Sequence, residues 1–152
     1  MGSDWKEVRL GDIIALNYGK SLPERRRIFG NIPVYSSAGI TGWHNEPLVR
    51  KPGIIVGRKG TIGSVYYSEK PFCCIDTAYF FTENDTEQNL KYTYYMLKNL
   101  PLSKLNTDSA VPGLNRNNAY GQIVSLPPIE EQKAIAHILS TLDEKIEVNN
   151  QI

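Results

Sequence analysis

No apolar run of roughly 18 residues occurs in this chain, which excludes a helical membrane span. The N-terminus also lacks the basic-then-apolar pattern of a secretory signal, so a soluble, cytoplasmic protein is expected. Met1-Gly2-Ser3 reads as an expression scar and is set aside. Cysteine is scarce, with Cys73 and Cys74 alone and adjacent. Neighbouring thiols are poorly placed to bridge each other and match no metal-ligand spacing, so both are expected in the core. His44 and His137 are the only imidazoles, which leaves little from which to build a zinc site or a Cys–His nucleophile pair. Neither a metal nor a cofactor is expected. The 152 residues suffice for one domain with a sizeable core, or a domain plus an appendage.

A formal net charge of +1 conceals an uneven distribution. Residues 20–60 carry eight basic side chains (Lys20, Arg25, Arg26, Arg27, Arg50, Lys51, Arg58, Lys59) against Glu24 and Glu46. Residues 76–152 carry six basic side chains against ten acidic ones. Such a division suits a basic face that meets a polyanion, unless folding intermingles the two sets.

The stretch "GIIVGRKGTIG", residues 53–63, tests one kind of polyanion. A phosphate loop needs G-x-x-x-x-G-K-[ST] opening a helix. Here Arg58 and Lys59 precede Gly60, and Gly57, Gly60 and Gly63 read G-x-x-G-x-x-G, which is not the dinucleotide fingerprint either. The next residues, Ser64-Val65-Tyr66-Tyr67, are β-branched and aromatic. Strand, glycine turn, strand is the expected local structure, with glycine supplying positive φ. Arg58 and Lys59 then stand at or beside a hairpin tip, either as a merely solvated turn or as ligands for a nucleic acid.

Other strands are expected at Trp5–Leu10, Ile32–Tyr35, Gly53–Val56, Cys73–Thr82 and Ile123–Leu126. Pro33 makes the second of these edge-like. Between them lie a polar loop, Lys20 to Arg27, and a small, glycine-bearing loop, Ser36 to Gly42. Asp76 falls within the apolar run 73–82, where an unpaired charge is costly, so it is expected to be bonded or paired, with a structural role favoured over a catalytic one. Leu90–Leu100 fits an amphipathic helix; Tyr92, Tyr94 and Tyr95 on it are read as core and rim, with a stacking platform as the alternative. The segment "SAVPGLNRNN", 109–118, is read as a turn-rich connection whose Asn115, Arg116 and Asn117 have side chains of the types that read base edges or bond phosphate.

The final segment has the strongest pattern. Pro127-Pro128 breaks a strand, and Glu130 and Glu131 then sit in the first turn of a helix, where the macrodipole favours anions. Ile135, Ile138, Leu139, Leu142 and Ile146 make an apolar stripe at helical spacing. A helix of roughly 24 residues would be about 36 Å long, more than so small a domain can cover, so the distal stripe is expected to seek another helix.

Taken together, "WKEVRLGDI", "IPVYSSAGITG", "GIIVGRKGTIGSVYY", "IDTAYF", "VPGLNR" and "SLPPIEEQKAIAHILSTLDEKIE" carry a resemblance. The chain resembles the target recognition domain of the specificity subunit of type I restriction-modification systems, as a single half-subunit or fragment. That resemblance implies an α+β fold: a twisted, mostly antiparallel β-sheet domain over 4–127 with a few short helices, followed by a long C-terminal α-helix, 128–152, that dimerises or spaces. It implies no chemistry by this chain, but recognition of one half of a split site in double-stranded DNA. The implied partners are an adenine methyltransferase subunit, an endonuclease/translocase subunit, and a second recognition domain or a second copy of the chain through the helix. On this view Lys20, Arg25, Arg26, Arg27, Arg58 and Lys59 hold phosphates. Ser36, Ser37, Thr41, Thr61, Asn115, Arg116 and Asn117, with whichever of Arg58 and Lys59 points inward, are the candidates for base edges.

Two rival readings remain open. One is a protein-docking module that assembles with a methyltransferase subunit without binding DNA on its own. The other is a small nucleotide-dependent or methylating enzyme, against which stand the failed phosphate-loop spacing and the absence of Asn-Pro-Pro-Tyr or Asp-Pro-Pro-Tyr.

Overall fold

The computed structural model describes residues 4–105 and 112–150, with side chains through Val148. Met1-Gly2-Ser3, residues 109–111 of the Asn-rich stretch, and the end of the expected helix at 151–152 lie outside the described residues. In chain order the strands are β1 (Lys6–Arg9), β2 (Asn17–Tyr18), β3 (Ile32–Ser36), β4 (Gly39–His44), β5 (Gly53–Gly57), β6 (Val65–Ser68), β7 (Cys73–Cys74), β8 (Ala78–Thr82) and β9 (Ile123–Leu126). The helices are α1 (Leu90–Lys98), α2 (Arg116–Tyr120) and α3 (Ile129–Asn150).

These strands form three sheets rather than one, and the fold is α+β with mostly antiparallel pairing. β1 and β9 pair antiparallel, Lys6 opposite Leu126 and Arg9 opposite Ile123, which ties the two ends of the described domain together. A four-stranded antiparallel sheet runs in the order β2-β8-β5-β6, and a three-stranded sheet in the order β4-β3-β7. In the latter, β3 pairs antiparallel with β4 and parallel with β7.

β5 explains why its sequence is continuously apolar. All five of its residues are buried, because opposite faces of the strand feed two cores. Ile54 and Val56 pack with Tyr79, Phe81 and Leu97 beneath the helices. Ile55 packs with Tyr35, Phe72 and Ala78 toward the three-stranded sheet. Each such side chain contributes about 1.5–3 kcal/mol on burial.

Several expectations need correction. The run 73–82 is not one strand: residues 75–77 turn the chain out of the three-stranded sheet and into the four-stranded one. Asp76 lies on that turn and is exposed, so burial imposes no partner on its carboxylate. The loop expected over 36–42 is in large part β4. β3 is central, not at an edge, despite Pro33, since β7 joins it only at Val34 and Tyr35, past the proline. Cys73 and Cys74 are buried and unbridged, and burial pushes the Cys74 thiol up to about 12.

α1 starts at Asn89, whose Oδ1 accepts from the Tyr92 N–H at 2.8 Å. Tyr92 is buried, Tyr94 stacks at 5.5 Å on Tyr67, and the Tyr95 hydroxyl donates to Asp143 of α3. These are core and rim positions.

The root of α3 is fixed by polar contacts. Trp5 Nε1 donates to Glu131 Oε1 at 3.0 Å. Gln132, 1% exposed, donates from Nε2 to Gln88 Oε1 and to the Pro127 carbonyl, and accepts the Asn89 N–H, all at 2.9 Å. Ile135 and Leu139, partly buried, line a groove with Trp5, Tyr95 and Met96. Ile138, Leu142 and Ile146 are 60%, 49% and 58% exposed. No helix among the described residues is long and apolar enough to cross a membrane.

Candidate nucleic-acid interface

The glycine hairpin joins β5 to β6, as its sequence predicts. Gly60 (φ 76°) and Gly63 (φ 77°) occupy the left-handed region that a side chain would strain. Gly57 serves a different purpose, because a Cβ there would come within 2.0 Å of the Thr61 carbonyl oxygen. The loop is braced from outside: the Arg58 and Lys59 N–H groups both donate to the Thr77 carbonyl, at 2.9 and 3.0 Å. Thr61 N–H donates to Ser37 Oγ at 3.2 Å, and Ser37 N–H to Thr77 Oγ1 at 3.2 Å. Three turns are thereby cross-linked at one end of the sheets.

A fourth segment joins them. Leu114 N–H donates to the Arg58 carbonyl at 2.8 Å, and the Tyr79 hydroxyl donates to the Leu114 carbonyl at 2.7 Å. Burial first, then the neighbouring Tyr18, pushes the Tyr79 phenol up, while Arg58 and Arg116 pull the other way. The hydroxyl stays protonated and keeps its donor role. Asn115 caps α2, its Oδ1 accepting from the Asn117 and Asn118 N–H groups at 2.8 and 3.3 Å.

Between these segments opens a cleft of about 520 Å³. It gathers Arg58, Lys59, Asn115, Arg116 and Asn117 from the residues expected of the site, and adds Tyr18 and Tyr79. Among the described residues, three cations and no carboxylate line it. None of the ion pairs among the described residues involves Arg58, Lys59 or Arg116. The two guanidinium groups are nevertheless anchored: Arg58 Nη1 donates to the Asp76 carbonyl at 3.0 Å, and Arg116 Nη1 to the Leu16 carbonyl at 3.1 Å. Both lie against the ring of Tyr18, at 4.9 and 4.6 Å from its centroid.

Other expected residues sit elsewhere. Arg27 is an internal tie, donating from Nε to the Leu22 carbonyl at 3.0 Å and from Nη1 to the Thr41 carbonyl at 3.4 Å. Arg25, Arg26 and Thr41 are exposed in this neighbourhood, outside the lining of the cleft. Ser36 and Ser37 are buried, and their hydroxyls hold turns: Ser36 Oγ accepts the Ala38 N–H, and Ser37 Oγ the Thr61 N–H. Lys20 is exposed beside the 75–77 turn, its backbone N–H bonded to the Cys74 carbonyl. Sequence reasoning passed over Tyr18 in favour of the α1 tyrosines; its signal was a lone aromatic between Asn17 and Gly19-Lys20.

A family model described as the type I restriction modification DNA specificity domain matches residues 2–152. The chain belongs to this family. A Mycoplasma pneumoniae protein named as a type I specificity subunit is 27% identical over 156 residues, covering 99% of this chain and 42% of its own length. A second protein so named from the same organism is 27% identical over 153 residues, covering 92% and 48%. The type I restriction-modification S subunit from M. genitalium superposes with a TM-score of 0.80 at 22% identity, over 94% of this chain and 40% of that one. The HsdS subunit from Thermoanaerobacter tengcongensis gives 0.70 at 20%, over 99% and 40%. The fold is thus that of a specificity subunit, and this DNA specificity domain spans less than half the length of the relatives it matches.

Proposed function

We propose that this chain reads one half of a split site in duplex DNA on behalf of a type I restriction-modification complex and performs no chemistry itself. The observation that carries the reading is the cleft of Arg58, Lys59 and Arg116, with no carboxylate among its described lining residues, in a domain of the DNA specificity family. Three cations in one concavity attract a polyanion, and binding that releases counterions weakens steeply with salt. Lys59, exposed on the hairpin, suits a phosphate. The planar forks of Arg58 and Arg116 suit guanine edges, worth about 1–3 kcal/mol of discrimination each, and Asn117 suits adenine. Arg25, Arg26 and Lys20 act as outlying phosphate contacts. Ser36, Ser37, Thr61 and Arg27 support the loops.

In this reading residues 4–127 form the recognition unit and 128–152 the spacer helix. Ile138, Leu142 and Ile146, exposed beyond the point where Ile135 and Leu139 are covered, meet a helix of a second recognition domain or second copy. The methyltransferase and endonuclease/translocase subunits assemble on the result. The same exposed stripe favours the second reading, a module that docks protein without holding DNA itself. Binding to a duplex across a salt series separates the two. The DNA reading expects tight binding at low salt with a steep slope, weakened by Arg58→Ala and Arg116→Ala. No detectable binding at low salt, or no change in either variant, leaves only the docking reading.

A further inference from the structure

We infer that Tyr18 is a positioning residue for sequence discrimination, fixing the two arginine forks of the cleft as one unit; this rests on the DNA reading above. An arginine at a surface loop ordinarily samples many rotamers, so its donors find a phosphate easily and a particular base edge poorly. Arg58 and Arg116 are each held against the Tyr18 ring and on a backbone carbonyl instead, and Arg58 also lies 6.0 Å from the centroid of the Tyr79 ring. The carbonyls, of Asp76 and Leu16, belong to different segments, but the ring is common to both. Their guanidinium carbons can be no farther apart than the 4.9 and 4.6 Å distances laid end to end. Like charges so close repel, and the electron-rich ring that both approach offsets part of that repulsion.

The ring has a firm seat. Tyr18 stacks at 5.4 Å on Tyr79, which is 2% exposed and bonded to the Leu114 carbonyl. Core order is thus passed through Tyr79 to Tyr18 and on to both forks. Tyr18 itself is 48% exposed on a two-residue strand, so the core does not depend on it as filler. Each guanidinium loses one direction to its carbonyl and one face to the ring. Its remaining donors have a restricted set of directions, which a base edge requires and a phosphate does not.

The test offers a randomised duplex pool to the full chain as wild type, Tyr18→Phe and Tyr18→Leu over a salt series and sequences what is retained. Tyr18→Leu is expected to keep the wild-type salt slope, since no cation is removed, while enrichment of preferred sequences falls by about tenfold. Tyr18→Phe, which keeps the π face, is expected to enrich as wild type does. Enrichment undiminished in Tyr18→Leu, or lost equally in Tyr18→Phe, overturns the role of Tyr18 and leaves the DNA reading standing. No enrichment by wild type overturns that reading and this role with it. A second measurement needs neither DNA nor a leucine variant that folds. The Nε–Hε resonances of Arg58 and Arg116 in the free wild-type protein are expected to be shifted upfield by the ring, and unshifted resonances overturn the clamp itself.

Discussion

Arg25-Arg26-Arg27 and the trio Arg58, Lys59 and Arg116 carry equal charge, yet the fold uses them in opposite ways. The first set is contiguous in sequence and divided in space by role: Arg27 ties the Leu22 and Thr41 carbonyls, while Arg25 and Arg26 stand in solvent. The second set is scattered in sequence and united in one cleft, with two of its members held against a common ring. Charge density along a chain therefore says little about a site. What matters is whether the side chains converge and whether their freedom has been removed before the ligand arrives.

The strongest way to break this contrast is the double substitution Arg58→Ala/Arg116→Ala. It is expected to weaken duplex binding about 100-fold or more at moderate salt, by loss of two charge-assisted forks, as read by fluorescence anisotropy. Arg27→Ala should act on folding instead, costing about 1–2 kcal/mol in urea denaturation through two lost hydrogen bonds, with a salt slope changed by no more than one ion. A larger effect on DNA than on stability would dissolve the distinction.

Cys74 holds the Lys20 backbone through its carbonyl. Burial raises its thiol from 9.0 to about 12. The unfolded chain therefore releases this proton first, and stability present below pH 9 is lost progressively as pH rises toward 12. Between pH 9 and 10 the loss is about 1 kcal/mol, and Cys74→Ala should flatten that part of the profile. Smallest of all, Arg25→Ala/Arg26→Ala should lower affinity only a few-fold, equally for all duplex sequences, while reducing the salt slope by about 2. A sequence-selective loss would move base reading into that loop.

How far the sequence revealed all this differs by element. The hairpin at 53–67 was legible because glycine, β-branched and aromatic residues alternate in a pattern that few backbones satisfy. The start of α3 was legible from its prolines and acidic first turn, as was the stripe on it. The break at 75–77 was not, because "CCIDTAYFFT" is apolar on both sides of the turn and one polar residue does not announce a change of sheet. The division of the small "SSAGITG" stretch between a turn and β4 was equally hidden, since β4 is held by pairing with β3 rather than by its own propensity. Of the site, the cation types were readable and their grouping was not. Nothing local distinguishes Arg58 and Arg116, which converge, from Arg25 and Arg26, which do not. Tyr18 was missed for a related reason: its importance lies in what stacks on it from distant loops.

Gln132 gives α3 a mechanical character. Buried and bonded to Gln88, Asn89 and Pro127, it fixes the root of the helix some 24 Å from its Val148 end, at about 1.5 Å per residue. A tilt of about 5° at that root would swing the tip by roughly 2 Å, enough to put apolar knobs out of step with the holes of a partner. Geometry at the tip of the rod thus depends on ties made far from it, the buried carboxamide of Gln132 among them.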